Sequence, residues 1–183
     1  VVQGSLEPVA VIGTKKWKAS VPVHLQEPLA QALKYMEDND VPNSRHWFGE
    51  CMSLSQNWEE ARPILFFGAQ IAGQRWLELR GAVPDHEHIP EWKNLTEMLL
   101  RGAVELFSDD AVARHNLGRF LQDTGRPEEA LQCYRHTMLL DPTQVETWGN
   151  AADLYYQAGD RELAYECWER AVSMETDKAS GRL

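Results

Sequence analysis

Basic residues are scarce. Lysine and arginine total 18 against 28 aspartates and glutamates, a formal net charge of −10 over 183 residues. Nucleic-acid binders draw most of their affinity from neutralised phosphates, so this balance argues against one. It argues equally against docking on anionic lipid. Long apolar runs are missing as well. The best stretch, Ile64 to Gly73, contains Gln70 and falls well short of the ~20 apolar residues that cross a bilayer. No membrane insertion is expected. There are 3 cysteines, Cys51, Cys133 and Cys167, too few and too scattered for a disulfide framework. A reducing compartment, most simply the cytoplasm, is expected. The start, Val1-Val2-Gln3, has neither Met nor a basic-then-apolar leader pattern, as expected of a trimmed piece of something longer.

Catalytic signatures are missing too. There is no glycine-rich phosphate loop, no nucleophile elbow and no zinc-protease motif. Gly68, Gly73 and Gly81 make no dinucleotide fingerprint. Glu59-Glu60 and Glu128-Glu129 sit near expected helix starts, where they favour the helix dipole. The chain is therefore expected to be no enzyme in itself, to hold no metal and to need no cofactor.

With 43% hydrophobic residues, the chain carries enough apolar side chain for a core. What organises it is a period. Sliding the sequence by 34 residues places Asn116 on Asn150, Gly125 on Gly159, Glu128 on Glu162, Ala130 on Ala164 and Cys133 on Cys167. Leu117, Gly118, Leu121, Tyr134 and Leu140 meet the similar Ala151, Ala152, Tyr155, Trp168 and Met174. Each unit reads as two helices: about Ala111 to Thr124 then Pro127 to Leu140, and about Val145 to Ala158 then Glu162 to Glu175. The turns carry Gly125 and Gly159, which can take positive φ. Pro127 suits a first helical turn, and Asp141-Pro142 closes the first unit. Gly118 with Ala130, and Ala152 with Ala164, mark close helix approach, with Tyr134 and Trp168 filling the adjacent gaps.

On these residues the segment from Ala111 to Asp177 resembles the tetratricopeptide repeat family. The carriers are Asn116-Leu117-Gly118, Gly125, Ala130, Tyr134 and Pro142, then Trp148, Tyr155, Gly159, Ala164 and Ala171. Arg114, Thr137 and Thr176 depart from the family pattern of Trp, Ala and Pro. The resemblance implies an all-α fold: an α-solenoid of stacked antiparallel helix pairs winding into a right-handed superhelix. It also implies a protein-interaction module, a scaffold or adaptor that takes a peptide or partner protein in its concave groove. Within that family the first helix of each unit lines the groove, so Asn116 and Asn150 would meet the backbone of an extended peptide. An amide offers both donor and acceptor to each peptide group. His115, Arg119 and Gln122 would share that face with Glu146, Asp153, Tyr156 and Gln157. Asparagine at this place also braces neighbouring helices. A strongly basic clamp for a carboxylate-terminated tail is absent, with Arg119 and His115 alone in that role. A second reading makes the repeats the substrate-recruiting part of a larger enzyme or assembly-factor complex. Leu163, Trp168, Val172 and Met174 on the last helix would then meet a continuing chain, a second copy or the N-terminal arm of another molecule.

Upstream, Phe48-Gly49 and Glu59-Glu60-Ala61 precede Leu117-Gly118 and Glu128-Glu129-Ala130 by 69 residues. A degenerate helix pair is expected over about 42–74, its second helix running on towards Arg80, then a loop over 81–90 and a helix over 91–107. Residues 24–110 would thus form a helical region, 111–178 two clear repeats, 179–183 a tail, and 1–23 an extended arm or weak hairpin, with Trp17 upon it. The helix after the arm is expected from His24 to Asp38. The cluster Asp85-His86-Glu87-His88 is dense in metal-ligand types, but no further ligand stands at recognisable spacing. Two surface histidines in a solvated loop are the simpler expectation. His46 and Cys51 would lie on different faces of one helix.

Overall fold

The computed structural model describes residues 21–179, apart from the side chains of Trp58 and Lys178. Among these residues there are eight α-helices and no strand. The chain divides into two compact units, one up to Leu106 and one from Phe107. Residues 1–20, which hold most of the expected arm and Trp17, and the tail from Ser180, lie outside the described residues. Val23, assigned to the arm above, already belongs to the first helix.

The first unit contains α1 (Val23–Glu37), α2 (Val41–Leu54), α3 (Trp58–Ala82) and α4 (Ile89–Leu106). In α1 the apolar residues Leu25, Leu29, Ala32, Leu33 and Met36 recur at helical spacing and are buried. The α1–α2 turn is tight. Asn39 takes φ 57°, the left-handed region that asparagine tolerates. Its neighbour's N–H, Asp40, donates to Tyr35 O at 2.8 Å. The Asp40 carboxylate then accepts from Asn43 N at 3.1 Å and starts α2. Ser44 Oγ donates to Ala32 O at 3.0 Å across the pair, in the buried interior.

The main pairings are α1 with α2 and α3 with α4. The period above joins residues 42–74 as one pair, which would set α2 against the start of α3; that contact exists but is the smaller one. Glycines explain the difference. A Cβ on Gly68 would fall 2.6 Å from the Phe48 ring and 3.0 Å from Leu99, and one on Gly73 would fall 3.3 Å from Thr96. These gaps in the α3 surface let α4 settle close against it. Ile64, Leu65, Ala72 and Trp76 then bury against Trp92, Leu95, Leu99 and Ala103. The long α3 begins at an Asn57 cap, whose side chain accepts from Glu60 N at 3.1 Å, and runs through Pro63.

The second unit contains α5 (Ala111–Asp123), α6 (Pro127–Leu140), α7 (Val145–Gln157) and α8 (Arg161–Ala179). Asp110 caps α5, accepting from Ala113 N at 3.0 Å. Packing runs in sequence: α5 on α6, α6 on α7, α7 on α8. The two hairpin turns match in detail. Gly125 and Gly159 take φ 77° and 86°. Behind them Arg126 N donates to Leu121 O at 2.9 Å, and Asp160 N to Tyr155 O at 3.0 Å. Gly125 N and Gly159 N donate to Gln122 O and Tyr156 O, each at 3.1 Å. These pairs of bonds satisfy carbonyls that a helix end leaves open, and they need a residue free to adopt positive φ.

Two of the three departures from the family pattern have local explanations. Arg114 donates through Nε and Nη2 to Ser108 O at 3.0 and 2.9 Å, tying the entry of α5 to the chain before it. Thr137 is fully buried, and its Oγ donates to Cys133 O at 3.0 Å, so the hydroxyl costs little inside.

Candidate functional site

Tyr134 is the centre of the second unit. It projects from α6, is fully buried, and fills the space that Gly118 leaves on α5. Its hydroxyl donates to Gln122 Oε1 at 2.8 Å. The Asn150 side chain of α7 hydrogen-bonds the same phenol. Burial, with Asp123 nearby, holds the phenol far above its ordinary range and so neutral. One ring therefore joins three helices. Arg135, one residue on, lies over the Tyr155 ring at 5.5 Å and donates to its hydroxyl at 2.8 Å.

The residues singled out above divide under this geometry. Asn116 is half-buried on α5 and makes no side-chain hydrogen bond among the described residues, so its amide is available. Arg119 is half-buried and makes no ion pair among the described residues. Glu146, Asp153, Tyr156 and Gln157 are exposed on α7. Asp153 Oδ1 accepts from Trp168 Nε1 at 3.2 Å, and Tyr156 sits against the Trp168 ring at 5.6 Å. Gln122 and Asn150 are partly engaged with Tyr134.

His115 stands apart. Placed on the open face by its helical spacing, it is 8% exposed, and its Nδ1 lies 2.8 Å from Thr147 Oγ1 of α7. It braces one repeat on the next and does not offer itself to a ligand. Burial lowers its pKa from the ordinary imidazole value of 6.5, with Glu146 opposing that and Arg119 adding to it. The neutral ring is therefore the folded form. Because the folded pKa lies below the unfolded one, this contribution to stability is fully present above about pH 6.5 and fades as the pH falls below it. The expected slope is at most about 1.4 kcal/mol per pH unit. Below pH 6.5 the urea midpoint of the wild type should fall more steeply with pH than that of His115→Gln; parallel curves would refute it.

Cys51 is buried in α2 and its thiol is pushed up to about 12 by burial, so it stays protonated. Cys133 and Cys167 form no disulfide among the described residues. In the connection after α3, the His86 and His88 rings lie 5.3 Å apart and His88 Nδ1 meets Glu91 Oε2 at 3.1 Å. No group of three or more metal-ligand side chains gathers among the described residues. No helix among them is long and apolar enough to cross a membrane.

The sequence pattern named Trp168 as a gap filler and as part of the apolar last helix, not as a partner of Asp153 and Tyr156, and it did not single out Thr147. A signal for Trp168 existed in its alignment with Tyr134; nothing in the sequence marked Thr147 as the partner of His115.

The second unit is thus a stack of two helix hairpins of one design, an all-α helical-repeat module. Residues 111–140 and 145–178 each match a tetratricopeptide repeat model, so this part of the chain belongs to the tetratricopeptide repeat family. The repeat is a protein-binding unit and in general not a catalytic one, which makes this part of the chain a protein-interaction module. Among solved structures, one of MamA aligns with a TM-score of 0.57 at 17% identity, covering 91% of this chain and 86% of that one. A MamA structure from Desulfovibrio magneticus RS-1 aligns at 0.46 and 15% identity, over 86% of this chain and 98% of that one. The first of these likenesses bears on the fold alone. No curated protein matches by sequence.

Proposed function

We propose that the chain is a scaffold or adaptor that holds an extended peptide or partner segment along the face formed by α5 and α7. The observation that carries this reading is the repetition of asparagine at one position of both repeats, with the Asn116 amide left unbonded beside Arg119. Around it, Asp153, Tyr156, Gln157 and Glu146 leave polar and aromatic groups open on α7. Amides spaced by one repeat suit a peptide backbone, which offers a donor and an acceptor at each residue. Affinity would then come from the main chain, and preference from the flanking Arg119, Asp153 and Tyr156.

Asn116→Ala separates binding from folding. Asn116 braces nothing among the described residues, so stability should shift by no more than about 0.5 kcal/mol. Peptides selected on the wild type from a displayed random library should lose about 1 kcal/mol or more of affinity on the variant, as for one lost hydrogen bond with a desolvated partner. Unchanged affinity by calorimetry removes Asn116 from the site. Asn150→Ala is the less clean probe, because it also strips a partner from Tyr134.

A further inference from the structure

The two repeats differ most at the surface that α7 covers in the first and that no described helix covers in the second. On α6 this surface is Leu131, Tyr134, Arg135 and Met138. Tyr134 is fully buried, Leu131 and Met138 are half-buried, and Arg135 is bonded to Tyr155 of α7. Thirty-four residues on, the same positions of α8 are Tyr165, Trp168, Glu169 and Val172. Tyr165 is 60% and Val172 61% exposed, and Trp168 is half-exposed. The spacing of three and four residues sets Tyr165, Trp168 and Val172 in one apolar stripe. The stripe is already ordered: Tyr165 packs edge-on to Trp168 at 5.7 Å, and Tyr156 meets the other side at 5.6 Å.

The charges at its border are reversed. Arg119 and Arg135 flank the covered surface of the first repeat; Asp153 and Glu169 stand at the matching places of the second. In the first repeat Arg135 donates to the Tyr155 hydroxyl of α7. An acidic border meets such a helix poorly if it carries acid of its own, as α7 does in Glu146 and Asp153, and meets one bearing arginine or lysine well.

We infer that the exposed edge of α8 is a docking face for an amphipathic helix of a partner protein, one that lies across it as α7 lies across α6 and carries a basic residue towards Glu169. The occupant is fixed by two things: the α6–α7 interface, whose geometry the α7–α8 hairpin repeats, and the switch of its border from arginine to carboxylate. This face adjoins the α5–α7 surface proposed for extended peptides at Asp153 and Tyr156, but Glu169 and Val172 belong to it alone, so either reading can fail without the other.

The test uses the full chain and stapled helical peptides built on residues 143–158, the segment that already fits such a face. One peptide carries Tyr155→Arg and the other Tyr155→Glu. The arginine peptide should bind about fivefold more tightly than the glutamate one, from opposite against like charge at a partly exposed border. It should shift the Trp168 indole N–H resonance, identified by its loss in Trp168→Phe. Glu169→Arg in the protein should invert the preference. Val172→Asp, at an exposed position that leaves the fold intact by circular dichroism, should abolish binding of both. Equal affinities, or binding that survives Val172→Asp, overturn the inference. So does self-association of the chain in sedimentation equilibrium that Val172→Asp disrupts, because the stripe would then belong to a second copy.

Discussion

Tyr134→Ala is expected to cost about 3–5 kcal/mol, the largest loss of any single truncation in the second unit. The ring is fully buried. It fills the hollow over Gly118, and its hydroxyl gathers Gln122 of α5 and Asn150 of α7. Removing it opens a cavity where three helices converge and leaves two amides short of a partner. Tyr134→Phe divides the effect. It keeps the ring and deletes the hydroxyl, so it should cost only about 0.5–1.5 kcal/mol. Urea unfolding of both variants, followed by circular dichroism, checks the pair. A loss for Tyr134→Ala no greater than that for Tyr134→Phe would mean that the ring is not the keystone described.

Gly118→Val is expected to cost about 3 kcal/mol, at the upper end for an overpacked core. A Cβ at this position falls 2.7 and 2.9 Å from Tyr134 ring carbons and 3.1 Å from Cys133 Cβ. The ring cannot swing away without giving up its hydroxyl bonds, and the Cys133 Cβ is fixed by the α6 backbone. Valine adds two methyls to that collision. Gly149→Ala is the contrast. It lies within α7, and a Cβ there meets nothing within 4 Å. That change should raise stability by about 0.5–1 kcal/mol, through helix propensity and a less free unfolded chain. Thermal melts of the two variants should move in opposite directions; a shared direction would disprove the close approach.

Much of the second unit was legible in its residues. The 34-residue period fixed both hairpins, because glycine at the turn, proline at a helix start and small residues at the crossing all agree. The first unit was less so. Gly68 and Gly73 carry no meaning until it is known that Phe48, Leu99 and Thr96 lie over them, so the pairing of α3 with α4 is a tertiary fact. His115 shows the same limit at the candidate site. A spacing of three or four residues assigns a side chain to a face, but not to one of two adjacent stripes. Thr147, from the next helix, decides that. Trp168 shows the converse. Its match to Tyr134 implies a buried ring, yet burial at that position depends on a further helix lying beyond it.

The order of packing within the second unit bears on how it comes apart. The main packing of α8 is on α7, whereas α6 and α7 each have main neighbours on both sides. In such a chain of nearest-neighbour links the end segment detaches at the smallest free-energy cost. Amide exchange should therefore be faster along Arg161–Ala179 than along Val145–Gln157, which is held on both sides, and a molecule clasping the α8 edge would slow that detachment.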